Sequence, residues 1–152
     1  MPDCFLTQLN LNPYHCSLVE KSLRLSGFLP ILISGPSLFR YFECERQAQT
    51  DIYIFSDDNV IPATRNTIAQ LLEVFARYPD YAQLGVNWDR HHFDSNKEVL
   101  ERGYVRGLQV IRRGVLKDLG YAMEDDNEAI GKTFKKLGYK VGIVKNLYSI
   151  QL

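Results

Sequence analysis

An α/β fold of three layers, a mainly parallel sheet with helices on both faces, is what the sequence predicts. Three observations carry this: short apolar runs alternate with helical periods, they do so in a βαβα rhythm, and glycine or Asn-Pro signals punctuate the joins. CFLTQLNLN alternates apolar with polar and reads as a first strand ending at Asn12-Pro13. YHCSLVEKSLRLSG follows as a helix with Leu18, Leu23 and Leu25 partly on one face and Gly27 as its stop. FLPILIS is a second strand, closed by GPS, and LFRYFECERQAQ a helix that delivers the chain to a third strand, DIYIFS. Beyond Pro62, Ile68, Leu71, Leu72 and Phe75 recur at helical intervals. AQLGVNW is a fourth strand, DRHHFDSNKEVLERG a loop or excursion, GLQVIRR a strand and GVLKDLG a short helix. NEAIGKTFKKLG brings Ile130, Phe134 and Leu137 to one face before a Gly138 cap, and YKVGIVKN is the last strand. Residues 1–152 are expected to form one domain, without repeats or linkers.

Composition narrows the function classes. Formal net charge is zero, so nothing suggests bulk attraction to nucleic acid or to an anionic membrane. Lys132, Lys135, Lys136 and Lys140 read as a solvated helix face. Cys4, Cys16 and Cys44 are odd in number and lack the paired spacing of zinc sites, which points to a reducing compartment with the thiols packed as small apolar groups. No apolar run reaches membrane-spanning length, and MPDCFLTQLN places Asp3 where a signal peptide carries positive charge. A cytoplasmic protein is expected.

Parallel sheets bind ligands beyond the carboxyl ends of their strands. That rule puts Asn12, Ser34 and the Asp57-Asp58-Asn59 corner along one edge. Two carboxylates and an amide oxygen at one strand end are hard ligands, suited to Mg²⁺ or Mn²⁺ shared with a substrate diphosphate. Aspartates cap turns equally well, and residue types alone leave both readings open.

TDIYIFSDDNVIP resembles the metal-binding segment of GT-A fold glycosyltransferases, particularly family 2, in which an apolar strand runs into an Asp-x-Asp motif with a proline three residues later. GLQVIRRGVLKDLGY is similar to that family's strand ending in basic residues, short helix and glycine. EDDNEAIGKTFKKLGYKVGIVKN resembles its acidic loop, long helix, Gly-Tyr corner and final strand. The order of elements agrees from residue 4 to residue 146. The resemblance implies a compact GT-A, Rossmann-like fold and a metal-assisted, inverting glycosyltransferase of hexosyltransferase type. Its substrates would be a nucleoside-diphosphate sugar of undetermined base and a hydroxyl acceptor on a glycan, lipid or protein. It implies a metal at Asp57 and Asn59, nucleotide-sugar contacts from Asn12, Ser34, Asp57, Asp58 and Arg112, and a general base among Glu124, Asp125 and Asp126, with Asp125 favoured. Asp126 or Asn127 is also a reasonable helix cap in its own right.

Three departures from the family pattern stand out. Asn59 replaces the second Asp, which keeps an oxygen ligand but removes its charge. ISGPS ends the second strand without the acid that usually reads the base. RYFECERQAQ lacks the usual Arg-Asn pair, although Arg40 and Arg46 lie nearby. The chain ends soon after its last strand, where many relatives add acceptor-binding helices, which leaves room for an oligomer or a partner that completes the acceptor site. His91 and His92 read first as a surface-loop pair and second, with Trp88, as the wall of a sugar or acceptor pocket. Two other functions stay open: a nucleotide-binding module that has lost transfer, and a metal-dependent phosphate-ester hydrolase.

Overall fold

The computed structural model describes residues 1–8, 12–34, 40–116 and 126–152. These form β1 (Asp3–Thr7), α1 (Pro13–Leu25), β2 (Ile31–Ile33), α2 (Arg40–Gln47), β3 (Ile52–Asp57), β4 (Val60–Pro62), α3 (Thr67–Ala76), β5 (Tyr81–Asn87), β6 (Val99–Glu101), β7 (Gln109–Arg112), α4 (Asn127–Lys136) and β8 (Lys140–Gln151). The sheet order is β2-β1-β3-β7-β5-β8-β4, with β6 also on β8. β1, β2, β3, β5 and β8 run one way, as expected of a mainly parallel sheet. β7 runs against both of its neighbours, and β4 and β6 run against β8.

Alternation along the strands divides the core between two faces. Cys4, Leu6 and Ile54 pack on one side with Val19 and Leu23 of α1 and Ile68, Leu71 and Phe75 of α3. Phe5, Tyr53 and Phe55 pack on the other with Tyr41 and Cys44 of α2 and Ile130 and Phe134 of α4. The cysteines are free, and burial pushes the Cys4 thiol up to about 12, so it packs as an apolar group. The glycine stops expected at Gly27 and Gly138 are realised, while Gly120, expected to end the GVLKDLG helix, lies outside the described residues. The amides of Gly27 and Phe28 reach the carbonyls of Arg24 and Leu23, and those of Gly138 and Tyr139 reach Lys135 and Phe134. Each glycine has the positive φ this cap requires.

Several details differ from expectation. β1 ends at Thr7, before the expected Asn12, and Asn12 caps α1. In α1 the buried pair is Val19 and Leu23, four residues apart, while Leu18 and Leu25 face solvent. Leu137 likewise lies outside the buried stripe of α4. The stretch after Trp88 contains β6, and β4 follows the acidic corner directly. Of the helix expected over GVLKDLG, only 114–116 are described, in a turn and bend.

Candidate functional site

β1 and β3 pair in parallel and end together, with Thr7 beside Asp57. That places Asp57 at the carboxyl edge of the sheet, yet its carboxylate is only 4% exposed. Oδ1 accepts from Arg40 Nη1 in a buried ion pair and, at 3.4 Å, from Thr7 Oγ1. Oδ2 accepts from the Gly107 amide at 3.1 Å. Burial pushes the Asp57 carboxyl above its ordinary range, and Arg40, the Gly107 amide and Thr7 pull it back only in part. Asp58 is fully buried in the turn that follows, and Asn59 is half-buried. The turn is pinned from outside, because the Leu152 amide donates to the Asn59 carbonyl and Val60 pairs with Gln151.

Arg40 extends this corner across the fold. Its guanidinium lies 5.2 Å from the ring centres of both Tyr41 and Phe55, which stack 4.2 Å apart, and Nη2 donates to Asn127 Oδ1 at 3.3 Å. Tyr41 OH donates to the same oxygen at 2.6 Å and accepts from Gln109 Nε2 at 3.1 Å. Gln109 Oε1 in turn accepts from Gln83 Nε2. A buried polar chain therefore runs from Asp57 through Arg40 to the first residue of α4, and onward across β7 to β5. α4 can approach this closely because Gly131 has no side chain: a Cβ there would lie 2.3 Å from the Gly103 carbonyl oxygen.

The predicted residues divide into those gathered at this edge and those held elsewhere. Asp57, Asp58 and Asn59 form the corner. Ser34 follows the end of β2 and is exposed, on the same edge. Asn12 uses its Oδ1 to accept from the amides of Tyr14 and His15, at 3.0 and 3.3 Å, as the α1 cap. Asp126 caps α4 by accepting from the Ala129 amide at 2.7 Å and is exposed. Glu124 and Asp125 lie outside the described residues. Arg112 is not at the edge. β7 runs against β3, so Arg112 pairs with Ile52 at the far end of the strand from Asp57. There it donates to the Tyr81 carbonyl at 3.2 and 3.3 Å and covers the Phe75 ring. The expectation that it meets the diphosphate at this edge is corrected by that strand direction.

The sequence points to Arg40 only as lying nearby and to Asn127 only as a candidate helix cap, and it gives Thr7, Tyr41 and Gln109 no role. The available signal was an arginine directly followed by two aromatics in an otherwise polar helix. Among the described residues no cluster of three or more His, Cys, Asp or Glu side chains could hold a metal alone. The corner's donor set is two carboxylates and an amide oxygen, of which Asp57 is partly neutralised by Arg40. Such a set fits a hard divalent ion held jointly with substrate phosphates rather than a closed protein site.

The chain has a GT-A-like fold, the fold of nucleotide-diphospho-sugar transferases. The mannosyltransferase PcManGT from Pyrobaculum calidifontis, solved with GDP-Man and Mn²⁺, superposes with a TM-score of 0.70 at 10% identity, over 99% of this chain and 59% of that one. TarS 1–349 from S. aureus, in complex with UDP-GlcNAc, gives 0.59 at 11% identity, over 97% of this chain and 58% of that one. The A197 protein from STIV gives 0.62 at 14% identity, over 100% of this chain and 86% of that one. The chain thus spans 59% of the mannosyltransferase chain and 58% of the TarS 1–349 chain. No family model and no curated protein matches it in sequence.

Proposed function

We propose that this protein is a glycosyltransferase that moves a sugar, with inversion and metal assistance, from a nucleoside-diphosphate sugar to a hydroxyl acceptor. The observation that carries the reading is the acidic corner. In a GT-A-like sheet, Asp57, Asp58 and Asn59 stand together at the carboxyl end of β3, beside Thr7. Fold likeness raises the prior, and the site chemistry has to carry the rest. Asp57 and Asn59, with Asp58 assisting, would hold Mn²⁺ or Mg²⁺ and the diphosphate. The metal, when bound, neutralises charge developing on the departing phosphate. Arg40 holds Asp57 in place and offsets part of the rise that burial imposes on its carboxyl, so the corner is shaped before ligand arrives. Ser34 lies on the edge where the nucleotide would extend, and Asn12 reaches it only through its amide nitrogen, its oxygen being engaged in the α1 cap. Asp125 is the preferred base for the acceptor hydroxyl, with Glu124 next, since Asp126 already accepts a backbone bond as a cap.

A thermal-shift panel of nucleoside diphosphates and their sugars, with and without Mn²⁺ or Mg²⁺, tests the reading. A ligand at a hundred times its Kd stabilises by about 2.7 kcal/mol. Asn59→Asp is expected to strengthen metal-dependent stabilisation and Asn59→Ala to weaken it. These variants are preferable to Asp57→Ala, which would strand Arg40. No stabilisation by any nucleotide would sink the proposal. Release of nucleoside diphosphate upon adding acceptor, lost in Asp125→Asn and retained in Asp126→Asn, would identify both transfer and base. Binding without turnover would favour the nucleotide-binding module, for which the charge lost at Asn59 speaks.

A further inference from the structure

We infer that the hydroxyl acceptor is an acidic sugar, held by a cationic cleft that Arg90, His91, His92 and Lys145 line beside the acidic corner. This rests on the transferase reading and goes beyond it in naming the acceptor class. The cleft has a volume of about 190 Å³, and Phe93, Asn146 and Tyr148 complete its lining. No carboxylate is among the described lining residues. The nearest in the same loop are Asp89 and Asp94, both exposed, and Asp89 Oδ1 accepts from the His91 amide at 3.3 Å. Pockets for drug-sized ligands occupy roughly 300–1,000 Å³, so this one suits an anionic group and part of its sugar ring rather than a nucleotide.

The cleft is built rather than a chance meeting of surface side chains. Asn87, fully buried at the end of β5, donates through Nδ2 to the carbonyls of His91, at 2.8 Å, and Lys145, at 3.1 Å. One amide therefore ties the two walls together. Lys145 Nζ donates to the Ser95 carbonyl, and the Arg90 guanidinium lies 5.4 Å from the Tyr148 ring centre. Arg90 is also the non-glycine residue with positive φ, at 54°, among the described residues. A backbone held in that region without a glycine is a conformation that surrounding structure has to impose.

Register sets the cleft's distance from the corner. Phe55 and Gly85 both pair with Gln109, so two residues further along their strands Asp57 and Asn87 stand level, with β7 between. Two strand spacings, about 10 Å, separate Asp57 from Asn87, which ties the cleft's walls, and the β8 wall that carries Lys145 and Tyr148 lies one strand further. A sugar leaving a diphosphate at Asp57–Asn59 would thus face an acceptor seated between Arg90 and Lys145. A guanidinium fork and an ammonium bind phosphate or carboxylate through charge-assisted bonds, and Tyr148 and Phe93 offer ring surface to the sugar.

Titration of the full chain with glucose 6-phosphate, glucuronate and glucose, followed by calorimetry, tests the inference. One or both anionic sugars are expected to bind, and which one distinguishes phosphate from carboxylate. Neutral glucose is expected to bind far more weakly. Arg90→Ala combined with Lys145→Ala should weaken the anionic sugar by about tenfold or more. The same variant should change nucleoside diphosphate binding with Mn²⁺ by less than about twofold, as distant sites do. Lys145→Gln alone serves as a milder variant if the double change lowers the melting temperature. Equal binding of glucose, or equal weakening of the nucleoside diphosphate, would overturn the inference, the latter assigning the cleft to the donor. Nucleotide binding without anionic sugar binding would also overturn it and leave the transferase reading standing. Anionic sugar binding without any nucleotide binding would instead sink the transferase reading, and the acceptor role with it.

Discussion

The two acidic segments look alike in sequence and differ in almost every physical respect. At Asp57-Asp58 the carboxylates are buried, and Asp57 is bonded to an arginine, a threonine and a backbone amide. At Asp126-Asn127-Glu128 the caps of a helix are made, Asp126 is exposed, and it is Asn127 that turns inward to Arg40 and Tyr41. A carboxylate that is part of the core cannot be removed without disturbing the core. One on a helix end can. Activity lost on mutating the first segment therefore mixes stability with chemistry, whereas the second reports chemistry more cleanly.

The comparison breaks if the buried segment proves no more costly to alter than the exposed one. Arg40→Ala leaves Asp57 buried without its cation and should destabilise by about 3–5 kcal/mol. Urea unfolding monitored by the fluorescence of Trp88 measures this, and a loss within the noise would refute the ion pair's place in the core. Arg40→Met combined with Asp57→Leu should recover most of the loss, since replacing a buried pair by apolar groups is often neutral. Asn127→Ala removes the acceptor shared by Arg40 and Tyr41 and should cost about 1–3 kcal/mol. Asp126→Ala should cost about 1 kcal/mol as a lost cap, and Asp126→Asn a few tenths at most.

pH sharpens the contrast further. Asp57's carboxyl is raised in the folded chain, so the fold favours its protonated form over its ionised one more than the unfolded chain does. The wild-type advantage over Asp57→Asn should thus be largest in acid and shrink as pH rises through the raised value. Arg40→Gln removes a group that holds that value down, so in its background the same step should move to higher pH. Melting curves collected from acid to neutral pH would show either shift, and a step that stays in place would contradict the assignment to Arg40.

Much of the fold was legible because period and punctuation agree: β1, α1, β3, α3, β5, α4 and β8 all arise from segments whose apolar spacing matches their element. β4 and β6 were not, being three-residue strands too short to show a period. The direction of β7 was also hidden, since GLQVIRR reads the same way parallel or antiparallel, and that single ambiguity misplaced Arg112. At the site, the corner at Asp57–Asn59 could be found from an apolar run meeting two acids. Its partners could not. The burial of Arg40 depends on Tyr41, Phe55 and Asn127 converging from three elements, and the two aromatics after Arg40 hint at burial without naming those partners.

The bond from Arg40 to Asp57 also constrains how this chain can change over descent. A neutral residue at position 57 would leave a cation in the core, and a neutral residue at 40 would leave an anion there. Either single step passes through a poorly folded intermediate, so the two positions should change together or not at all. Asn127, which takes Arg40's second bond, should drift along with them. Among relatives, an acidic residue at 57 without a cation at 40 would be the rare combination.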